Sequence, residues 1–395
     1  MKPISMSSPD LTLKEIRSVL SVMKTKYLSI GPRIQRFEKE IASFIGAKYA
    51  VAVSSGTAGL HLAVIAAGVG VGDLVITSPF SFVASSNVIL YERAIPIFVD
   101  VDKATGNIDP ALVAESVHDL SRSGSRAQRW LPPSLKASLA SLHQPKSLLP
   151  VHAFGQPANM SSLLETASRH NLSIIEDACE AIGAEYKGCK VGTFGHAAVF
   201  AFYPNKQMTT GEGGMIVTDN DDWEALFRSL RNQGRDVFDA WLNHARLGYN
   251  YRMDEMSAAL GLAQLGRIEE LLAKRERVAQ WYNERLKDVD RVQIPYIAAT
   301  TTRMSWFVYV IRLAPEIDRN SIVATLEKRG IPSRPYFLPI HLQPFYREKF
   351  GYEHGNFPVT EQLGDVSLAL PFSGVMTEDQ VDYVCMNLLD ILKSL

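Results

Sequence analysis

Gly72-Asp-Leu-Val-Ile-Thr-Ser-Pro-Phe-Ser-Phe-Val-Ala-Ser-Ser-Asn-Val-Ile-Leu-Tyr-Glu-Arg-Ala-Ile-Pro-Ile-Phe98 sets two short apolar runs on either side of a longer segment. The runs Leu74 to Thr77 and Ile95 to Phe98 read as buried strands, and Ser81 to about Tyr91 reads as the helix between them. Parallel neighbours need a crossover, usually helical, so strand, helix and strand in this order predict a mostly parallel sheet with helices on its faces. Sheets of this kind bind ligands beyond the carboxyl ends of their strands. Phe82 lies just past one such end, where it either stacks on a flat ligand or belongs to the core. Asp100, Asp102 and a turn to Asp109-Pro110 follow.

Upstream, Tyr49-Ala-Val-Ala-Val53 reads as a buried strand that runs into Ser54-Ser-Gly56-Thr57-Ala and a small-residue helix to about Ala67. A tight turn at a helix start gathers unpaired N–H groups and the positive end of the helix dipole, which suits a phosphate. A plain N-cap by Ser55 or Thr57 explains the same residues equally well. Earlier still, Thr12 and Glu15 form a capping box ahead of Ile16, Val19, Leu20 and Met23 at helical spacing. A second helix after Gly31-Pro32 carries Ile34, Phe37, Ile41, Phe44 and Ile45 on one face and stops at Gly46.

Downstream, residues 118–146 break the pattern. Their Arg122, Arg126, Arg129, Lys136 and Lys146 and the pair Pro132-Pro133 read as an insertion, a solvated surface excursion with room for a short helix. Regular structure resumes with a strand from Ser147 to Val151, a helix from about Met160 to His170 and a strand from Ser173 to Glu176 that delivers Asp177. A carboxylate there needs a positive partner, such as a protonated pyridine nitrogen or a salt bridge, unless it caps a helix. Past Gly188, Gly192 and Gly195, the strand Ala197 to Phe202 leads to Lys206 and the glycine-rich Thr210-Gly-Glu-Gly-Gly214. A lysine partly desolvated between strand and turn can supply a neutral amine for a Schiff base, although a loop lysine is ordinarily a surface residue.

A short strand from Met215 to Thr218 and a helix from Asp221 to about Asn232 come next, and a single long helix is expected from Asp254 into the 280s. Beyond Pro295 the pattern is a compact α+β unit: a strand from Trp306 to Ile311, a helix from Asn320 to Arg329 and a last helix after Thr377. The prolines of Arg334-Pro-Tyr-Phe-Leu-Pro-Ile-His341 argue against a regular element, and Arg334 and His341 are candidate substrate contacts. The expected division is a large domain over 1–255, including the insertion near 118–146, and a linking helix with a smaller C-terminal α+β domain over 256–395.

The chain has 395 residues, 46% of them hydrophobic, and a formal net charge of -1. That balance offers no basic surplus for nucleic acid or anionic membrane and favours small-molecule chemistry. Cys179, Cys189 and Cys385 form neither a disulfide framework nor a metal spacing, so no metal site is expected. The charged N-terminal stretch and the lack of any apolar run near ~18 residues point to a cytoplasmic protein.

Gly56-Thr57, Phe82, Asp177 and Lys206 together provide a phosphate cradle, a ring cover, a carboxylate and an amine, the set that pyridoxal phosphate requires. The chain resembles the DegT/DnrJ/EryC1/StrS sugar aminotransferases of PLP fold type I. The resemblance rests on Gly31-Pro-x-x-x-x-Phe37-Glu38, Ser55-Gly-Thr-Ala58, Pro150-Val-His152, Glu176-Asp-Ala178, Lys206 with Thr210-Gly-Glu-Gly-Gly214, Gly248-Tyr-Asn-Tyr-Arg252 and Arg334-Pro-Tyr-Phe. It implies an α/β large domain with a seven-stranded type of sheet, pyridoxal 5'-phosphate as cofactor and pyridoxamine 5'-phosphate as its aminated form. It further implies that Lys206 forms the Schiff base, Asp177 meets the pyridine nitrogen, Phe82 covers the ring, and Gly56 and Thr57 hold the phosphate. Asn250 would reach the phosphate of a neighbouring subunit, which implies a homodimer with shared sites. Ala201 stands where family members commonly carry a phosphate-binding serine, and Glu180 where glutamine is common near the cofactor's phenolic oxygen. The implied reaction moves an amino group from L-glutamate to a nucleotide-linked keto sugar. The alternatives are a sugar dehydratase of the same fold, which replaces the lysine with histidine, and a catalytically reduced regulatory or binding homologue.

Overall fold

The computed structural model describes residues 4–122, 124–141, 143–236 and 243–394. Thr12 opens α1 (Leu13–Met23) with the expected capping box, accepting from Lys14 N at 3.2 Å while Glu15 Oε2 accepts from Thr12 N at 2.7 Å. Next come α2 (Pro32–Ile45), β1 (Tyr49–Val53) and α3 (Gly56–Ala66). The strand, helix and strand that decide the fold are β2 (Leu74–Thr77), α4 (Ala84–Tyr91) and β3 (Ile95–Phe98). The helix begins at Ala84 rather than Ser81, which leaves Ser81 and Phe82 in the connection beyond the strand end.

The turn expected at Asp109-Pro110 is instead the start of α5 (Pro110–Ser121): the Asp109 carboxylate accepts from Ala111 N and Leu112 N, and the proline sits in the first turn where its missing N–H costs nothing. Residues 118–146, of which 123 and 142 lie outside the described residues, begin inside this helix. They continue as 3₁₀ segments Ser125–Arg129 and Pro133–Ser141, docked by buried Ala127 and Leu131 and by Trp130 Nε1 donating to Asp119 Oδ2 at 2.9 Å. This stretch is therefore anchored, not a purely solvated excursion.

The large unit continues through β4 (Pro145–Leu149), α6 (Met160–His170), β5 (Ser173–Asp177), β6 (Glu185–Tyr186), β7 (Cys189–Lys190), β8 (Ala197–Ala201), β9 (Gly214–Thr218) and α7 (Asp221–Arg231). Its seven strands lie in the order β1-β9-β8-β5-β4-β2-β3. Only β9 runs against its neighbours; β8, β5, β4, β2 and β3 pair in parallel. The carboxyl ends of β1, β2, β5 and β8 consequently face one side; Asp177 is the last residue of β5, and Gly56, Phe82 and Lys206 follow the other three ends.

The long helix expected from Asp254 is two helices, α8 (Glu255–Leu265) and α9 (Ile268–Leu286). Arg267 leaves helical geometry at φ -135°, and its guanidinium meets Asp10 at 2.5 Å. The break lets α8 pack beside α1 and α2, while the C-terminal half of α9 enters a second apolar core. That core is built from α9, β12 (Tyr309–Leu313), α10 (Arg319–Lys328), β14 (Ser367–Leu370) and α13 (Glu378–Lys393), with β10 (Val292–Gln293) and β13 (Arg334–Pro335) completing the sheet of β12 and β14; β11 (Thr301–Arg303) pairs instead with β6, and α11 (Pro344–Phe350) and α12 (Pro358–Val366) pack in smaller clusters. The prolines at 335 and 339 do not exclude order: β13 is the edge strand beside β14, where a proline sacrifices no ladder bond, and Ile340–Leu342 forms a 3₁₀ turn. Among the described residues no helix is long and apolar enough to cross a membrane.

Candidate active site

A cavity of about 1320 Å³ opens at the carboxyl ends of the parallel strands. Gly56, Thr57, Phe82, Asp177, Glu180 and Lys206 all line it, joined by Phe307 and Tyr336 from the C-terminal part of the chain. The sheet brings together residues that are distant in sequence because each follows a strand that stops at the same edge.

Lys206 reaches into this space with its Nζ 3.7 Å from the centroid of the Phe307 ring and 3.5 Å from Glu180 Oε1. The ammonium is attracted to the ring face, an interaction that strengthens as water is excluded. Glu180 is buried and also accepts from Phe154 N at 2.9 Å. Burial raises its carboxyl above the ordinary glutamate value, against the opposing pull of Lys206 and the Phe154 N–H. A carboxyl held that way keeps a proton more readily than a solvated one.

Asp177 is buried at the end of β5 and is tied down on both oxygens: Ser85 Oγ donates to Oδ2 at 2.6 Å and Cys179 N donates to Oδ1 at 3.2 Å. Ser81 Oγ stands 3.0 Å from Ser85 Oγ, so a short hydroxyl relay leads from the β2–α4 connection to the carboxylate. Neither serine was singled out in the sequence. The only sign was their spacing of one helical turn beside Phe82, which is too common to be diagnostic.

At the start of α3, the candidate phosphate cradle, two glycine-bearing segments approach closely. A Cβ on Gly56 would lie 2.7 Å from Ala201 Cβ, and one on Gly214 would lie 2.6 Å from the Ser55 carbonyl carbon. Side chains at either place would push the Lys206 turn away from the first turn of α3. Ser55 serves as N-cap, accepting from Ala58 N at 3.0 Å. That cap coexists with the cradle, because the Gly56 and Thr57 N–H groups precede the pairing that begins with Gly59 N to Ser55 O. Cys179 lines the same cavity, its thiol pushed well up by burial and so held protonated. Phe82 is 64% exposed, so it is a wall of the cavity and not core.

Three candidates stand elsewhere. Asn250 is exposed, beside an isolated bridge to Asn232, and does not line the cavity. Arg334 is exposed and donates to the Ser333 carbonyl at 2.9 Å. His341 is fully buried, 2.9 Å from Glu361 Oε1 and edge-on to Phe357, with burial pushing its imidazole pKa down. A substrate has no access to it within this chain. The candidacy rested on its proline-rich neighbourhood, which gave no hint of the partner at Glu361.

The donor set fits pyridoxal phosphate: an amine, a buried and oriented carboxylate, and first-turn N–H groups share one cavity, and the buried Asn205 Oδ1 beside Lys206 lacks a protein partner. A family model described as the DegT/DnrJ/EryC1/StrS aminotransferase family matches residues 9–389. The chain is 39% identical over 393 residues to a GDP-perosamine synthase of Caulobacter vibrioides, covering 98% of each chain. It superposes on a DegT DnrJ EryC1 StrS aminotransferase from Brucella abortus with a TM-score of 0.85 and 29% identity, covering 96% of this chain and 95% of that one. It also superposes on Helicobacter pylori PseC, an aminotransferase involved in the biosynthesis of pseudoaminic acid, with a TM-score of 0.87 and 26% identity over 100% of both chains.

Proposed function

We propose that this chain, which belongs to the DegT/DnrJ/EryC1/StrS aminotransferase family and is a pyridoxal-phosphate-dependent sugar aminotransferase, moves an amino group from L-glutamate to a nucleotide-linked keto sugar at Lys206. The observation that carries the reading is the convergence of Lys206, Asp177 and the first turn of α3 on one cavity. Pyridoxal phosphate, when bound, supplies an aldehyde that condenses with amines and a protonated ring that withdraws electrons from the bond being broken.

The protein's share is placement and proton handling. Lys206 Nζ is the amine that takes up and returns the proton at the reacting carbon. Asp177, held by Ser85 and Cys179, would meet the ring nitrogen with an oriented carboxylate, and Phe82 would cover the ring. The Gly56 and Thr57 N–H groups with the α3 dipole would hold the phosphate, a role to which Ala201 would contribute no hydroxyl. Glu180 faces Lys206 Nζ at 3.5 Å, and its carboxyl, raised by burial, would hold a proton near the bound cofactor. The cavity exceeds an ordinary small-molecule pocket, which leaves space for a cofactor and a bulky nucleotide-linked sugar together. The 39% identical GDP-perosamine synthase supports a GDP-linked sugar as the first to test.

A homodimer completes this reading. Ile16, Leu20 and Met23 form an exposed apolar stripe on α1, and Tyr27, Leu28 and Ile30 extend it. A second copy is its proposed cover, an arrangement in which exposed Asn250 serves the neighbouring site.

The test is transfer of label from [15N]glutamate to GDP-, UDP- and dTDP-linked keto sugars, read by mass spectrometry, with Lys206→Ala as control. Labelled amino sugar from one nucleotide series, abolished in the variant, is expected. No labelled product from any series, or undiminished transfer by Lys206→Ala, would sink the proposal.

A further inference from the structure

Arg275, on α9, is a buried guanidinium that forms none of the ion pairs found among the described residues. Its fork is spent on main-chain carbonyls from two separate segments. Nη2 donates to Asn205 O at 3.0 Å and to Lys206 O at 2.6 Å, and Nη1 donates to Trp306 O at 3.3 Å and to Phe307 O at 3.1 Å. Both segments carry cavity walls, and their side chains meet where Lys206 Nζ stands over the Phe307 ring.

We infer that Arg275 is a positioning residue that sets where the Lys206 amine sits, by clamping the Lys206 turn and the Phe307 segment to one rigid plane. This rests on the reading of Lys206 as the reacting amine. A guanidinium is suited to the task because its donors point outward in fixed directions, so two carbonyl pairs can be held at a constant separation. A lysine ammonium would keep the charge but could not span both pairs. Leaving a charge buried without a carboxylate is costly, and that cost is offset here by carbonyls flanking the site and by the Phe372 ring, whose centroid lies 5.6 Å from the guanidinium carbon. Gln207 reinforces the same junction, its Nε2 donating to Glu180 O at 2.6 Å and to Ser305 O at 2.9 Å.

The test uses the full chain as wild type, Arg275→Lys and Arg275→Met. Arg319→Gln is the comparator, because Arg319 is also a buried guanidinium on carbonyls, but those of Gly364 and Ser367, residues that do not line the cavity. Protein without added cofactor is treated with trinitrobenzenesulfonate, and modification of Lys206 is followed by peptide mass spectrometry. In parallel, kcat and KM are measured on the cofactor-loaded enzyme. In variants that still unfold cooperatively, the rate of Lys206 modification is expected to change by about tenfold and kcat to fall by on the order of tenfold or more, with KM for the nucleotide sugar within about twofold. Arg319→Gln should leave the modification rate at the wild-type value. Unchanged modification and kcat in a folded Arg275 variant would overturn the inference, as would loss of cooperative unfolding in both variants, which would assign Arg275 to the fold alone. If Lys206→Ala retained wild-type amino transfer, the reading of Lys206 as the reacting amine would fail, an outcome distinct from any Arg275 result.

Discussion

Two carboxyl groups a few residues apart, Asp177 and Glu180, illustrate how environment separates the roles of like side chains. Asp177 is satisfied by two donors, whereas burial dominates at Glu180 and lifts its pKa. A raised folded-state pKa means that the folded protein holds this proton more tightly than the unfolded chain. The associated stability is present below the ordinary glutamate value and is lost as pH rises through the folded value. Glu180→Gln removes that dependence, so the melting temperature of the variant should gain on wild type as pH rises from ~4 to ~7. A difference that stays flat across that range would contradict the burial of an ionising group here. Ser85→Ala leaves Asp177 without its shortest donor. A hydrogen bond to a charged group contributes about 1.5 to 3 kcal/mol, so kcat/KM for amino transfer should fall by on the order of tenfold or more; a loss under twofold would show that Ser85 does not orient the carboxylate.

Among the elements, the junction of α2 and α8 carries a prediction of stability. Glu255 is buried at the start of α8, and its carboxylate accepts from Gly31 N, Arg33 N and Ile34 N at 3.1, 2.8 and 2.9 Å, which caps α2 from another helix. Glu255→Ala strands those donors, and a loss of about 3 kcal/mol is expected in urea unfolding; a change below about 1 kcal/mol would count against this cap. The same junction marks a boundary of what periodicity can convey. The helices α8 and α9 read as one because both halves keep apolar residues at helical spacing, and Gly266-Arg267 carries no proline to announce a break. The helix α5 escaped notice for the opposite reason: Asp109-Pro110 is as good a turn signal as it is a helix start, and local sequence does not choose between them.

At the scale of the molecule, the apolar residues of α1 are legible in sequence as a helical face, but spacing does not say what that face meets. Glu15 and Val22 are buried, with Glu15 accepting from Gln264 of α8 at 2.9 Å, while Ile16, Leu20 and Met23 remain exposed. If a second copy covers them, Leu20→Glu should shift the sedimentation coefficient from dimer to monomer at micromolar concentration and reduce amino transfer in step. A variant that stays dimeric would place the interface elsewhere.

The chain alone determined the alternation of strands and helices and marked Lys206, Asp177, Phe82 and Gly56-Thr57 as candidates, because spacing and residue type are local properties that the backbone must obey wherever it goes. Tertiary structure decided the partners. Ser85, Phe307 and Arg275 reach the site from remote segments, and His341 is lost to it by pairing with Glu361. Such contacts follow from which strand ends stop at the same edge of the sheet and which helices pack against them. A one-dimensional pattern does not encode that, because the physical forces that bring residues together act through space and not along the chain.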